Sequence, residues 1–221
     1  MTQRILITGA NRGIGLELAK QLQARGATIL ASVRQPSAAL EALGVEICAD
    51  IDVTRDDGPT RLKTAVGDRK LDIVIMNAGV LHSTPLDDLD LAKIREQFEV
   101  NALAPLRATQ ALLPQLNEGA KVALITSRMG SMADNTSGGS YGYRMSKAAL
   151  NAAGKSLAMD LAPRGIAVGL LHPGWVQTEM TGNTGNTTPA EAAAQLIARI
   201  DELNMERTGQ FVHANGEILP F

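Results

Sequence analysis

Arg4-Ile5-Leu6-Ile7-Thr8-Gly9-Ala10-Asn11-Arg12-Gly13-Ile14-Gly15 passes from a short apolar run, through a glycine-rich turn, into an amphipathic segment. An apolar run without polar alternation marks a strand buried on both faces, the kind found in helix-covered parallel sheets. The glycines allow the chain to turn tightly, and the apolar spacing of residues 13–25 then predicts a helix. Gly26 is placed to end that helix in a left-handed cap.

The alternation continues along the chain. Apolar runs at 4–8, 28–33, 45–49, 73–77, 121–126, 167–172 and 210–212 predict strands. Between them, residues 13–25, 57–66, 90–113, 142–161 and 189–203 carry helical spacing. Thr188-Pro189-Ala190-Glu191 has the form of a capping box with Pro at the first helical position. Residues 181–188, rich in Gly, Asn and Thr, read as a mobile loop. Repeated strand-then-helix units require right-handed crossovers, giving an α/β, doubly wound parallel sheet of about seven strands with helices on both faces. No linker divides the chain, so residues 1–221 are expected to form a single domain of Rossmann type.

Composition narrows the function classes. At 221 residues, 20% charged and with net charge −2, the chain has no basic footprint for nucleic acid. Aromatics make up only 3%, so Ala, Leu, Ile and Val must build the core. One cysteine, Cys48, excludes an internal disulfide framework and fits a reducing compartment. His82, His172 and His213 lack metal-ligand spacing, so no metal is expected. The absence of a long apolar stretch or secretory leader predicts a soluble, cytoplasmic protein with no membrane partner.

A glycine turn between the first strand and first helix is suited to a dinucleotide pyrophosphate. The backbone can approach closely, and the helix offers free N–H groups and its positive dipole end. No Gly-Lys-Ser/Thr closes the turn, which disfavours a Walker-type site. The second strand ends Ala31-Ser32-Val33-Arg34, with Arg34 where a carboxylate would bond ribose hydroxyls, and Arg12 lies in the turn itself. Two planar, permanently charged guanidinium groups suit a 2′-phosphate, so NADP(H) is expected over NAD(H).

Tyr143 and Lys147 stand four residues apart at the start of a predicted helix and so share a face. A neighbouring ammonium stabilises phenolate, and the expectation is a phenol pKa drawn down toward working pH for proton exchange with a substrate oxygen. Within the predicted helix 90–113, Pro105 has no N–H to give the carbonyl of Asn101. A kink that frees this carbonyl follows.

The glycine turn, Asn77-Ala78-Gly79, Asn101, Ser127, Tyr143-xxx-Lys147 and Pro173-Gly174-Trp175-Val176-Gln177-Thr178 occur in this order over nearly the whole chain. This series resembles the short-chain dehydrogenase/reductase family. Ser127-Arg128-Met129-Gly130-Ser131 and the final Gly216-Glu217-Ile218-Leu219-Pro220-Phe221 resemble its C-factor and sniffer group of carbonyl reductases. The resemblance implies hydride transfer between nicotinamide and a small carbonyl or alcohol substrate. It assigns Tyr143 as acid or base, Lys147 to the phenol and the nicotinamide ribose, Ser127 to the substrate oxygen, and Asn101 to a water that relays protons to Lys147. It also implies cofactor contacts from Gly9, Asn11, Arg12, Gly13, Ile14, Gly15, Arg34, Asp52, Val53, Asn77, Ala78, Gly79, Tyr143, Lys147, Pro173, Gly174, Val176 and Thr178.

Some alternatives stay open at this level. Ser127 lies 16 residues before Tyr143 and Ser131 lies 12 before it; the end of a strand, where a cleft opens, favours Ser127. Trp175 either walls the substrate pocket or packs beneath its loop, and residues 179–188 form the natural lid, with Met129, Met132 and Met180 nearby. An epimerase sharing Tyr-xxx-Lys would need a carboxyl-terminal substrate domain, and only 43 residues follow Thr178. A dinucleotide-binding regulator or signalling protein with little turnover is the alternative function. Many relatives pair across the two long helices, so a homodimer or homotetramer is expected.

Overall fold

The computed structural model describes residues 2–221. Seven strands form one parallel sheet: β1 (Arg4–Thr8), β2 (Thr28–Ser32), β3 (Glu46–Cys48), β4 (Leu71–Met76), β5 (Leu116–Ile125), β6 (Ala167–His172) and β7 (Phe211–His213). Their order is β3-β2-β1-β4-β5-β6-β7, with every neighbouring pair parallel. The chain therefore leaves β1 toward one edge, returns, and builds outward to the other. The switch of direction between β1 and β4 opens a crevice at the carboxyl ends of the strands.

Helices cover both faces. Successive residues of a strand point to opposite faces, so Ile5 and Ile7 pack with α1 (Gly13–Ala24) and α7 (Pro189–Glu202). Leu6 points the other way, into a cluster with Leu62 and Val66 of α3 (Gly58–Val66), Ala108 and Leu112 of α5 (Ala104–Leu112), and Leu150 and Leu161 of α6 (Tyr141–Leu161). A sheet buried on both sides explains why the strands read as continuous apolar runs. The expected capping box at Thr188 forms, and Gly26 takes a φ of +88°.

Three local differences have physical causes. A four-residue helix, α2 (Ala38–Glu41), is capped by the Ser37 hydroxyl and is too short to show periodicity. β5 begins at Leu116 rather than 121, because Leu116 pairs with Leu71 before a register shift. The polar Asn117-Glu118-Gly119 within that shift reads as a turn in sequence. The predicted helix 90–113 divides into α4 (Leu91–Phe98), a π-helical turn (Glu99–Leu103) and α5. The widened turn sits where Pro105 withholds its N–H, so the expected kink takes the form of a π-bulge.

Candidate active site

The crevice is built first by backbone packed on backbone. Gly9 has a φ of +67°, and a Cβ there would stand 2.9 Å from the Cα of Ala78. A Cβ on Gly15 would stand 2.3 Å from the Gly9 carbonyl oxygen and 2.5 Å from Asn77 Nδ2. Polar bonds fix the same contact. Asn77 Nδ2 donates to the carbonyls of Thr8 and Gly9, both at 3.1 Å, and Thr8 Oγ1 accepts from the N–H groups of Asn77 (3.0 Å) and Ala78 (3.1 Å). The ends of β1 and β4 are thus one rigid unit that aims α1 at the crevice.

This cradle fits a dinucleotide. α1 starts with no side-chain cap and no acidic residue in its first turn, which leaves its positive end open to an anion. Arg34 is exposed just beyond β2. Asp52 lies beyond β3, near enough to Arg34 to feel its charge; burial pushes its carboxyl up, but two hydrogen bonds from Thr54 and the nearby Arg34 and Arg55 hold it low. Those bonds, at 2.7 and 3.0 Å, engage the Asp52 carboxylate locally, and Val53 packs partly into the core. Asn11 accepts from Ser37 Oγ at 2.7 Å, and Ile14 packs against the core on the α1 face.

The Pro173-Gly174 turn after β6 returns toward the cradle. Gly174 has a φ of +90°, and Val176 is buried. Thr178 reaches the glycine turn: a Cβ on Gly13 would stand 3.4 Å from its Cγ2. Residues 179–188, expected to be a mobile lid, are closed on themselves. Gln177 N–H donates to Thr187, Asn183 N–H to Thr178 and Asn186 N–H to Trp175, at 2.7–3.1 Å. Thr hydroxyls that bond local backbone, such as Thr181 Oγ1 to Val176 at 2.6 Å, supply the order that composition did not suggest. Trp175 is exposed, with its indole N–H bonded to the Thr184 carbonyl.

Tyr143 and Lys147 share the buried face of α6. The Lys147 ammonium donates to the Ile125 carbonyl at 2.9 Å and lies 5.8 Å from the centroid of the Tyr143 ring. Gly79 leaves room for it, since a Cβ there would stand 3.8 Å from Lys147 Nζ and 3.2 Å from Asn101 Oδ1. The expected depression of the phenol pKa is corrected by this arrangement. Burial pushes Tyr143 up to about 12, opposed in part by the Ser127 hydroxyl, and burial pulls Lys147 down to about 8. The ammonium is held against a backbone carbonyl and over the ring, so desolvation of the phenolate dominates.

The two serines separate cleanly. Ser127, at the end of β5, is the one beside the phenol, and its Oγ accepts from Met129 N–H at 3.2 Å. Ser131 Oγ donates to the Phe221 oxygen (3.1 Å) and accepts from Asp134 N–H (3.0 Å), which commits it to holding its own loop. Asn101 is fully buried, and its side chain is a clamp. Oδ1 accepts from Val80 N–H at 2.9 Å, while Nδ2 donates to the Val80 carbonyl (2.8 Å) and to Ser146 Oγ (3.0 Å).

Two features have no sequence signal. His172 and His213 meet edge to face at 4.8 Å, and burial, with the neighbouring His213, Arg128 and Lys147, lowers His172 to about 3. Thr84 is fully buried and bonds the start of α6 from 58 residues away. Among the described residues, no cluster of His, Cys, Asp or Glu could hold a metal ion, and no helix is long and apolar enough to cross a membrane.

Comparison with known proteins agrees with this geometry. Residues 3–189 match the short chain dehydrogenase family. The chain is 42% identical to 1-hydroxy-2-glutathionyl-2-methyl-3-butene dehydrogenase of Rhodococcus sp. (strain AD45), over 97% of this chain and 98% of that protein. It is 47% identical to the C-signal of Myxococcus xanthus, over 68% of this chain and 93% of that protein. Among solved structures, carbonyl reductase Sniffer of D. melanogaster superposes with a TM-score of 0.92 at 30% identity, each chain covered in full. The NADPH-bound carbonyl reductase from chicken fatty liver superposes with a TM-score of 0.90 at 29% identity, over 100% of this chain and 99% of that one.

Proposed function

The chain belongs to the short-chain dehydrogenase family, and from that membership we propose that it is an NADP(H)-dependent carbonyl reductase or alcohol dehydrogenase, with residues 1–221 acting as one domain. The observation that carries this reading is the convergence of Ser127, Tyr143 and Lys147 at the carboxyl edge of the sheet, beside a glycine cradle that a dinucleotide fits. Bound NADPH would supply the hydride, and NADP⁺ would accept it in the reverse direction. The solved NADPH-bound carbonyl reductase supports that coenzyme, as does Arg34, which stands exposed with no ion-pair partner among the described residues.

As the carbonyl carbon gains hydride, its oxygen gathers negative charge and needs a proton and a hydrogen-bond donor. Tyr143 carries its proton at neutral pH, because burial holds its pKa high, and donates it to that oxygen. Ser127 donates a hydrogen bond to the same oxygen. Lys147, charged below about pH 8, supplies the proton that returns the resulting phenolate to phenol. Asn101 contributes through its backbone carbonyl at the π-bulge, since its side chain is engaged by Val80 and Ser146. Trp175, Met132 and Met180 leave apolar surface exposed on the loops after β5 and β6, which suits an apolar carbonyl compound. Leu103, Leu106, Met145 and Met159, exposed on the helices beyond, support self-association.

Tyr143→Phe is the decisive variant. Turnover should fall by roughly 10²- to 10⁴-fold, with NADPH binding unchanged in a fluorescence titration; full retained activity removes the mechanism. The likeness to the C-signal of M. xanthus favours a second reading, a dinucleotide-binding regulator with little turnover. A screen of aldehydes, ketones and quinones with NADPH separates them, because the regulator would bind coenzyme tightly and reduce none.

A further inference from the structure

α6 carries Tyr143 in its first turn, yet its own N-cap does not cap it. Ser140 holds a left-handed backbone (φ 47°, ψ 45°), and its side chain makes no cap hydrogen bond. The first N–H groups of a helix have no partner within it and must find one elsewhere. Here one buried residue of the segment after β4 supplies partners for two of them. Thr84 Oγ1 accepts from Gly142 N–H at 2.9 Å, and the Thr84 carbonyl accepts from Tyr141 N–H at 3.3 Å. The helix start also lies close on α4, where a Cβ on Gly142 would stand 2.3 Å from Gln97 Nε2 and 3.2 Å from the Cα of Ile94.

The residue that caps the helix is itself anchored. Asn101 holds Val80 through both its N–H and its carbonyl, and Gln97 Oε1 accepts from His82 N–H at 3.0 Å. Asn101 also bonds Ser146 Oγ, which donates to the Tyr143 carbonyl at 2.9 Å. Asn101 of the π-bulge and Gln97 of α4 therefore hold residues 80–82, Asn101 also reaches the first turn of α6 through Ser146, and Thr84 is the point where the held segment meets that turn.

We propose that Thr84 is a positioning residue for Tyr143, capping the helix from a distant segment and so fixing where the phenol sits. The role rests on the acid–base reading of Tyr143. Thr84→Val keeps the shape and removes the acceptor; the first turn frays, and the phenol loses both its place and the favourable end of the helix dipole.

The test uses the full chain with NADPH and 4-nitrobenzaldehyde, and [¹³Cζ]tyrosine NMR with NADP⁺ bound. Only two tyrosines are present, so Tyr143 is assigned by one substitution. In Thr84→Val, kcat should fall about tenfold, in line with loss of a single cap. The NADPH Kd should stay unchanged, amide exchange at Gly142 should quicken, and the Tyr143 ¹³Cζ resonance should shift from its wild-type position. Thr84→Ser, which keeps the hydroxyl, should restore all of these. If the valine chain does not fold, Thr84→Ala against Thr84→Ser makes the same comparison, differing only in the hydroxyl. A Thr84→Val enzyme with wild-type kcat and a wild-type Tyr143 resonance overturns the role, as does a serine variant no better than valine or alanine. Tyr143→Phe run in parallel separates the failures: if it alone keeps turnover, the acid–base reading has failed, whereas if it loses turnover and Thr84→Val does not, only the positioning role has.

Discussion

Arg12 and Glu179 pair their side chains between the glycine turn and the loop after β6, although the two residues lie 167 apart in sequence. The guanidinium read as a phosphate ligand is therefore held by a carboxylate of the same chain. Thr178, the neighbour of Glu179, packs on Gly13, so the two loops touch at both positions.

Glu179→Gln should free Arg12 for coenzyme. Both side chains are mostly exposed, and exposed pairs contribute little, so NADPH should bind about two- to fivefold more tightly. Titration of NADPH fluorescence checks this at two salt concentrations. Unchanged or weaker binding would show that the Glu179 carboxylate does not compete with coenzyme for Arg12.

Arg34→Asp addresses the 2′-phosphate directly. A charge-assisted bond to phosphate lost from an open site should raise the NADPH KM by roughly 10- to 100-fold and the NADH KM by far less. Equal changes in the two constants would refute the assignment of Arg34.

Gly15→Ala should destabilise the fold as well as the site. The added methyl would meet the Gly9 carbonyl and the Asn77 amide at distances no real contact tolerates. Overpacking of this kind costs about 1–3 kcal/mol, read as a lower urea midpoint at constant slope. A midpoint equal to wild type would show that the turn and β4 can separate freely.

His172 makes stability fall in mild acid. Its pKa, lowered to about 3, lies below the ordinary value of 6.5, so the unfolded chain takes up a proton that the folded chain refuses. Stability is complete above about pH 6.5 and declines toward pH 3, by about 1.4 kcal/mol per pH unit at most. In His172→Gln, urea midpoints measured between pH 4.5 and 7 should decline less steeply than in wild type. Parallel declines would show that His172 titrates normally.

Much of the architecture was legible because its causes are local. A two-face-buried strand must be apolar throughout, so β1, β2, β4 and β6 announce themselves within a residue or two. Asn77-Ala78-Gly79 and the glycine turn were both readable, and the structure joins them through Gly9, Gly15 and the Asn77 amide. Strand position already favoured Ser127 over Ser131; what it could not show is that the Ser131 hydroxyl is engaged by the Phe221 oxygen, 90 residues away. The direction of the Tyr143 pKa was misread for a similar reason. Spacing places a lysine on the same face, but it does not report how deeply the phenol is buried or that the ammonium turns to Ile125.

By itself, the order of residues determined the parallel sheet, the coenzyme cradle and the pairing of Tyr143 with Lys147. Each follows from neighbours a few positions apart, through strand burial, glycine freedom and helical pitch. Only tertiary structure decided what occupies the Ser131 hydroxyl, what engages Arg12, and which residue caps the helix that carries Tyr143. Those contacts join residues far apart in the chain, and burial and hydrogen-bond geometry exist only once the layers have packed.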